Sequence, residues 1–254
     1  MKYALRLSAT VLIAFWGIAI CQDTLPTGAE IVDRMMEVMT PENSKATMSQ
    51  TIITSSGKTR TFEFESYSAV RGEKNLMIYN HPSAVRGQSF LMLNHADDIW
   101  TYFPRTNRVR KLASHAKKQK VQGSDFTYED MGSGDSWSRE YQSSNLGETE
   151  LNNEACWKLE SIAIPEEDPA YVKVIIWVRQ SDYYPLQMDY FETESRMLKT
   201  LNFENIEIID GYPTAMQMIM TNHVNLTETS MEIKTITYKW DPPRDYFSER
   251  NLKK

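Results

Sequence analysis

Cysteine and histidine are both scarce in this chain of 254 residues, and each shortage excludes a class of structure or chemistry. Of the two cysteines, Cys21 lies at the end of an N-terminal apolar stretch that we expect to be removed, which leaves only Cys156. A lone cysteine forms no internal disulfide, so the fold must be stabilised by core packing and sheet hydrogen bonds. No two of the four histidines have the spacing of metal ligands, and no HExxH motif is present, so no metal site is predicted.

The motifs of the common catalytic classes are also missing. There is no GxSxG sequence around a serine nucleophile. Cys156 lies in a strand-like run and is interpreted as a buried thiol rather than a nucleophile. Residues Gly132–Asp135 resemble a phosphate loop, but the Lys-Ser/Thr pair that should follow is absent, which favours a turn. The sequence therefore predicts no enzyme and no cofactor, with a hydrolase whose dispersed site includes Asp125 or Glu129 as the alternative.

The N-terminal residues have the pattern of a signal peptide. Lys2 and Arg6 precede an apolar stretch, Leu7–Ile20, that is shorter than the about 20 residues of a membrane span. We predict cleavage after Cys21 and export to the periplasm, so that residues 1–21 are a signal peptide and residues 22–254 form one domain. Acylation of Cys21, which would anchor the protein to a membrane, is the alternative.

One amphipathic helix and about a dozen strands are predicted after the signal peptide. In Thr27–Thr40 hydrophobic residues recur on one face, Thr27 and Glu30 have capping-box spacing, and Pro41 follows. The rest of the chain has short alternating runs between turn signals and no βαβ rhythm, which favours an antiparallel sheet. The predicted strands are Ala46–Ser55, Thr59–Ala69, Asn75–Asn80, Ser89–Asn94, Ile99–Phe103, Arg108–Leu112, Ser138–Leu146, Ala155–Ile164, Val172–Gln180, Pro185–Phe191, Met197–Asn205, Ala215–Asn222 and Glu228–Trp240.

These elements predict a mainly β fold in which a curved antiparallel sheet forms an unclosed barrel. The N-terminal helix and a short lid segment, Asp125–Met131, would cover its concave face and enclose an apolar cavity. The stripe Met216, Met218 and Met220 suits such a cavity because methionine is flexible and polarisable, although the same stripe is typical of an ordinary core. The run Val174–Val178 is apolar on both faces, which predicts a strand covered on both sides.

The stretch Trp100–Met131 combines aromatic, basic and acidic residues. Between Asp98 and Asp125 there is no acidic residue, while seven lysines and arginines lie in that interval. Three interpretations are open: a solvated strand and loop, contact with anionic lipid headgroups, or nucleic acid with Tyr102 and Phe103 as a stacking platform. The net charge of -6 and the predicted export argue against nucleic acid as a partner.

Residues 81–131 carry a family resemblance. His81–Leu91 reads HPSAVRGQSFL, Asp98–Pro104 reads DIWTYFP, a basic strand follows at Asn107–Leu112, and Gly123–Asp130 reads GSDFTYED. With the signal peptide and the amphipathic helix, these segments make the chain similar to an uncharacterised branch of the LolA-like outer-membrane lipoprotein-sorting proteins. The resemblance implies an unclosed antiparallel barrel with a helical lid over an apolar cavity that binds lipid or lipoprotein acyl chains.

Three groups of site residues follow from this interpretation. Alternating strand residues would line the cavity, helix and loop residues would form the lid, and arginines would meet lipid headgroups or a partner. The predicted cavity residues are Phe90, Met92, Trp100, Tyr102, Trp157, Leu159, Trp177, Met188, Tyr190, Met216 and Met218; the lid residues are Met35, Met36, Met39, Phe126 and Tyr128; the headgroup or partner contacts are Arg105, Arg108 and Arg110. A slip of one residue in strand register would invert each strand assignment.

The predicted function is the binding of lipid or lipoprotein acyl chains, with the protein acting as a periplasmic carrier in outer-membrane lipoprotein sorting. Release would need a membrane or a partner of higher affinity, such as an inner-membrane transporter or an outer-membrane acceptor. The protein is expected to be monomeric and to need no nucleotide. An envelope sensor or adaptor that binds a protein partner is the alternative from another class.

Overall fold

Thirteen antiparallel strands form one sheet in the computed structural model, which describes residues 25–253. The strands are β1 (Asn43–Ile53), β2 (Thr59–Ala69), β3 (Lys74–His81), β4 (Ser89–Leu93), β5 (Asp98–Phe103), β6 (Arg108–Lys111), β7 (Tyr141–Leu151), β8 (Glu154–Ala163), β9 (Lys173–Arg179), β10 (Pro185–Phe191), β11 (Met197–Ile209), β12 (Tyr212–Asn222) and β13 (Thr227–Thr237). Each corresponds to a predicted strand, so the predicted mainly β fold is confirmed. The predicted signal peptide and Cys21 lie outside the described residues.

The sheet consists of two meanders that meet at its centre. The spatial order runs from β6 down to β1, then from β13 down to β7. Strand β1 pairs with β13, while β6 and β7, which follow each other along the chain, lie at opposite edges. The sheet is therefore not closed, as the sequence predicts.

Helix α1 (Gly28–Met39) begins at the predicted capping box. The Thr27 hydroxyl accepts from the Glu30 backbone N–H at 3.2 Å, and the Glu30 carboxylate accepts from the Thr27 backbone N–H at 2.7 Å. The helix contacts both β7 and β12, although β8 to β11 separate these strands in the sheet, so the sheet must curve around it. At Gly28 a Cβ would lie only 2.4 Å from the Ser143 carbonyl oxygen, which explains the glycine at this contact.

The chain between β6 and β7 contains two short helices, α2 (Tyr128–Gly132) and α3 (Trp137–Glu140). The predicted strand Ser138–Leu146 is corrected here, because residues 137–140 are helical and β7 begins at Tyr141. Val121, Phe126 and Tyr128 from this connection are buried in the main hydrophobic core. The predicted lid segment therefore lies against the inner face of the sheet.

The sheet has a hydrophobic core on each face. The inner face carries the main core, which includes residues of α1, of the connection between β6 and β7, and of most strands. On the outer face, Tyr67, Leu76 and Leu91 are buried beneath the C-terminal segment, where Trp240 lies 5.3 Å from Tyr67 between ring centroids and Leu252 is buried. The sequence did not predict this second core.

Strand β9 differs from its prediction. Val174, Ile176 and Val178 are buried on the inner face. Cys156 on the neighbouring strand pairs with Arg179 and therefore faces the other side, where it is buried, and burial raises the pKa of its thiol. The alternate residues of β9, however, are half-buried on the outer face, so the strand is not fully covered on both sides.

Among the described residues, no helix has the length and apolar character needed to cross a membrane.

We expect Leu252→Ala to lower the free energy of unfolding by about 2 kcal/mol or more, because it leaves a cavity beneath the C-terminal segment. Leu252 is 2% exposed, whereas Leu226 is 73% exposed. Leu226→Ala is therefore a matched control that should change stability by less than about 0.5 kcal/mol. Urea unfolding of both variants measures the difference, and equal stabilities would contradict a structural role for the outer core.

Candidate functional site

A cavity of about 360 Å³ lies between the inner face of the sheet, the end of α1 and the connection between β6 and β7. Its apolar wall comes from helix methionines and from inward-facing residues of β10 to β13. Its opposite wall comes from α2, α3 and the residues beside them. The apolar wall includes Met36, Met39, Met188, Leu201, Phe203, Met218, Ile233 and Ile236, and the opposite wall includes Phe126, Glu129, Asp130, Met131, Trp137, Glu140, Tyr141 and Tyr171.

All but three of the predicted cavity and lid residues divide between the cavity wall and the core behind it. The first group lines the cavity and the second packs elsewhere in the main core, either buried or, for Met216, partly buried. The first group is Met188, Tyr190, Met218, Met36, Met39 and Phe126. The second group is Phe90, Met92, Trp157, Leu159, Met35, Tyr128 and Met216.

The predicted inward positions of Trp100, Tyr102 and Trp177 are corrected by the structure. In β5 the buried inward residues are Ile99 and Thr101, so Trp100 and Tyr102 face outward, against the outer core. Trp177 likewise alternates with buried residues of β9, and the Lys158 ammonium lies 4.9 Å from its ring centroid. The reason is the register of each strand, which the alternation of residue types alone does not fix.

The basic stretch separates into free arginines and paired lysines. Arg105, Arg108 and Arg110 are exposed at edge strand β6 and the turn before it, and none forms a salt bridge with the described residues. The lysines of the stretch instead pair with carboxylates: Lys111 with Asp98, Lys117 with Asp97, Lys118 with Asp168 and Lys120 with Asp125. Within this stretch, the three arginines are thus the cations that have no carboxylate partner among the described residues.

A buried ion pair ties α2 to the sheet beside the cavity. Lys199 of β11 is 2% exposed, and its ammonium donates to the Asp130 carboxylate at 2.6 Å and to the Asp125 carbonyl at 3.0 Å. The same ammonium lies over the rings of Tyr171 and Tyr190, 4.7 and 5.2 Å from their centroids. Asp130 also accepts from the Tyr171 hydroxyl at 2.9 Å and, as the capping residue of α2, from the backbone N–H of Thr127.

Asp125 provides the second tie between the connection and the sheet. Its carboxylate accepts from the hydroxyls of Thr227 and Thr229 at 2.7 and 3.0 Å, and from the Lys120 ammonium at 2.9 Å. Its backbone N–H donates to the Thr229 hydroxyl at 2.9 Å. Both aspartates of the GSDFTYED motif thus fix the connection between β6 and β7 to the sheet.

Two glycines allow the cavity rim to close. A Cβ on Gly134 would lie 2.6 Å from the backbone of Gly72, and one on Gly72 would lie 2.5 Å from Gly134 Cα. Beside this contact the Arg71 guanidinium donates to Asp135 at 3.0 Å, and His95 Nδ1 lies 2.8 Å from the Ser133 carbonyl. A turn follows at residues 134–136, as predicted, although Gly132 still belongs to α2, and Gly134 permits the backbone to meet that of Gly72.

Two glutamates give the cavity an acidic end. Glu129 is 5% exposed; its Oε1 accepts from the Ala170 backbone N–H at 2.7 Å, and its Oε2 has no hydrogen-bond partner in the described residues. Burial raises the pKa of Glu129 to about 7, with the nearby Glu140 and Asp130 carboxylates adding to the effect. Burial also raises the pKa of Glu140, which accepts from the Ser136 hydroxyl at 3.0 Å.

Sequence reasoning missed the polar half of the cavity. The signal for Asp130 was present, since Thr127 and Asp130 have capping-box spacing. Glu129 was named only as part of the alternative hydrolase site, and Glu140 and Lys199 gave no signal, because these residues become neighbours only through tertiary contacts. Within residues 25–253, no three His, Cys, Asp or Glu side chains are grouped as a metal site requires.

The open antiparallel sheet, the covering helix and the cavity define the class of protein, which has the fold of the LolA superfamily. A domain named for outer membrane lipoprotein sorting from Vibrio parahaemolyticus is 29% identical, with a TM-score of 0.81 over 89% of this chain and 98% of that one. A DUF1329 family protein from Desulfovibrio piger is 26% identical, with a TM-score of 0.79 over 89% and 97% of the two chains. A LolA superfamily protein from Nitrosomonas europaea is 20% identical, with a TM-score of 0.75 over 89% and 99%, and shows the same fold.

A family model described as "Uncharacterized protein" matches residues 71–254, and the chain belongs to this family. No curated protein matches the sequence. The resemblance to LolA-like proteins, predicted from residues 81–131, is confirmed by the structural likenesses.

We expect Lys199→Met to lower the free energy of unfolding by about 3–5 kcal/mol, because it leaves the buried Asp130 carboxylate without its cation. Adding Asp130→Asn should recover part of the loss, since the uncompensated charge is then removed. Lys58→Met, at an exposed lysine, is the control and should be nearly neutral. A Lys199→Met variant as stable as the control in urea would contradict the role of this ion pair.

We expect Glu129→Gln to stabilise the protein at alkaline pH. The pKa of Glu129 is raised from its usual 4.5 to about 7 in the folded state, so folding loses stability as pH rises from about 4.5 through about 7. Glutamine carries no charge and avoids this loss, which we expect to be on the order of 2 kcal/mol. The advantage of the variant in urea unfolding should be present at pH about 8 and vanish near pH about 4; an advantage independent of pH would contradict the assignment.

Proposed function

We propose that the cavity binds an acyl chain of a lipid or lipoprotein and that the protein is a carrier in the bacterial envelope. The observation that carries this proposal is the apolar wall of the cavity, formed by α1 and strands β10 to β13. The cavity volume of about 360 Å³ falls within the range of about 300–1,000 Å³ that small-molecule sites occupy. The relatives named for lipoprotein sorting and for the LolA superfamily support the same class of function.

Binding of an alkyl chain needs no cofactor, because the hydrophobic effect supplies the free energy. Each methylene group removed from water contributes about 0.8 kcal/mol, so about ten of them contribute about 8 kcal/mol before ordering costs. The methionines of the wall, Met36, Met39, Met188 and Met218, suit chains of variable shape because their side chains are unbranched. Such a wall favours a flexible ligand over a rigid one.

The lid supports entry and release of a chain. The wall on this side is formed by α1 and by the connection that carries Phe126 and Met131, and both are separate from the hydrogen-bonded ladder of the sheet. Helix α1 can therefore move without breaking strand pairing, whereas the connection is tied to the sheet by the Lys199–Asp130 ion pair. Release would follow transfer to a membrane or to a partner of higher affinity, such as an inner-membrane transporter or an outer-membrane acceptor.

The exposed arginines support contact with anionic headgroups. Arg105, Arg108 and Arg110 lie together at the edge of the sheet without acidic partners among the described residues. Clustered arginines are attracted to anionic lipid surfaces within a Debye length. This surface and the signal peptide predicted for residues 1–21 support a periplasmic, monomeric protein that meets membranes transiently.

We expect Met218→Asp to abolish binding of a fluorescent fatty acid, because it places a carboxylate on the apolar wall. Ile208→Asp is the matched control, since Ile208 is 67% exposed on the neighbouring strand, and it should bind as the wild type does. Circular dichroism would establish that both variants are folded. Unchanged binding by a folded Met218→Asp protein would refute the proposed cavity.

A second measurement tests the proposal without substitutions. The protein purified from its native envelope under mild conditions should contain lipid that organic extraction releases and mass spectrometry identifies. Protein that carries no lipid and takes up no fatty acid would leave a partner-binding adaptor as the better explanation.

A further inference from the structure

The acidic end of the cavity contains one carboxylate oxygen that the protein leaves without a partner. Of the three acidic residues on that wall, Asp130 is paired with Lys199, and Glu140 accepts from Ser136 and lies 3.5 Å from the Arg139 guanidinium. Glu129 lines the cavity, yet its Oε2 is buried without a hydrogen-bond partner among the described residues. Buried polar atoms are nearly always satisfied, so this oxygen indicates a missing donor.

The charges around Glu129 favour a cationic donor. Glu140 of α3 and Asp130 of α2 are close enough to raise its pKa, and Lys117 is the cation that lowers it. Lys117 already pairs with Asp97 at 3.4 Å, and Lys199 already pairs with Asp130. The remaining neighbours with titratable groups on this wall, Tyr141, Tyr171 and Tyr190, are neutral because burial raises the pKa of each.

The same end offers aromatic faces. Trp137 and Tyr141 stack with ring centroids 4.6 Å apart, and both line the cavity together with Tyr171. An ammonium is attracted to aromatic faces as well as to carboxylates. An anionic headgroup would instead meet two glutamates without free cations, which like-charge repulsion disfavours.

We propose that Glu129, supported by Glu140 and the aromatic residues, binds the ammonium group of a cationic amphiphile whose alkyl chain lies along the methionine wall. This inference rests on the proposed acyl-chain cavity and adds the class of headgroup. The ammonium donates a hydrogen bond to Glu129 Oε2 and offsets the unpaired buried charge. Glu129 is thus a specificity-determining residue, while Met218 and its neighbours bind any chain.

The test compares two probes of equal chain length, dodecylamine and dodecyl sulfate, by calorimetric titration below their micelle concentrations. The wild type should bind dodecylamine about tenfold more tightly or better, as a charge-assisted hydrogen bond predicts. Glu129→Gln should remove most of that preference while retaining affinity for dodecyl sulfate. Glu166→Gln, at an exposed glutamate outside the cavity, is the control and should keep the preference.

The pH dependence gives a second readout. Glu129 has a pKa of about 7, whereas an alkyl ammonium, like a lysine side chain, stays protonated to about pH 10. The preference for dodecylamine should therefore grow between pH about 5.5 and about 8 in the wild type, and stay flat in Glu129→Gln. Thermal unfolding of each sample confirms that the protein is folded in the presence of the probe.

The outcomes separate this inference from the function on which it rests. Equal affinity for the two probes, unchanged by Glu129→Gln, would overturn the ammonium site and leave the acyl-chain cavity intact. Binding of neither probe by folded wild-type protein would overturn both. A preference for dodecylamine that Glu166→Gln also removes would show a general effect of net charge and would overturn the assignment to Glu129.

Discussion

The cavity depends on a single buried ammonium. Lys199 joins the sheet to α2 through Asp130 and to the preceding turn through the Asp125 carbonyl, so the connection between β6 and β7 is held against the inner face. Removing a lysine from water is costly, and the cost is offset only because carboxylate, carbonyl and two aromatic rings surround it. These polar contacts lie on the side of α2, whereas the opposite wall of the cavity is apolar. The apolar space beside it can then be shaped by flexible methionines.

The two faces of the sheet are covered by different parts of the chain. The outer face of the first meander is covered by the C-terminal segment, whose aromatic residues complete a small core around Tyr67 and Leu91. The inner face is covered by α1 and by the connection between β6 and β7, and this covering is incomplete where the cavity lies. The outer core is well packed and lies on the face away from the cavity. A ligand that enters the cavity on the inner face would therefore not disturb it.

Sequence patterns predicted the elements better than the site. Alternating or apolar runs between turn signals located each strand of the described chain, although β7 begins at Tyr141 rather than Ser138, and capping-box spacing located the start of α1. Alternation does not reveal which face is inside: Met218 and Trp100 were both predicted to line the cavity, and Met218 does, whereas Trp100 faces the outer core. The acidic end could not be predicted, since Lys199 and Asp130 are 69 residues apart in sequence and the partners of Glu129 come from three elements. Local sequence patterns do not predict such tertiary contacts.

The order of strands has a kinetic consequence. Within each meander every strand pairs with its neighbour along the chain, whereas the pairing of β1 with β13 joins residues near opposite ends of the described chain. Closing so large a loop costs chain entropy before the contacts between the two strands can form and stabilise it. Such non-local pairing slows folding. The two meanders are therefore expected to form first and to dock along the β1–β13 seam late. The nascent chain would expose its apolar inner face until that seam closes, which makes folding the stage at which aggregation threatens most.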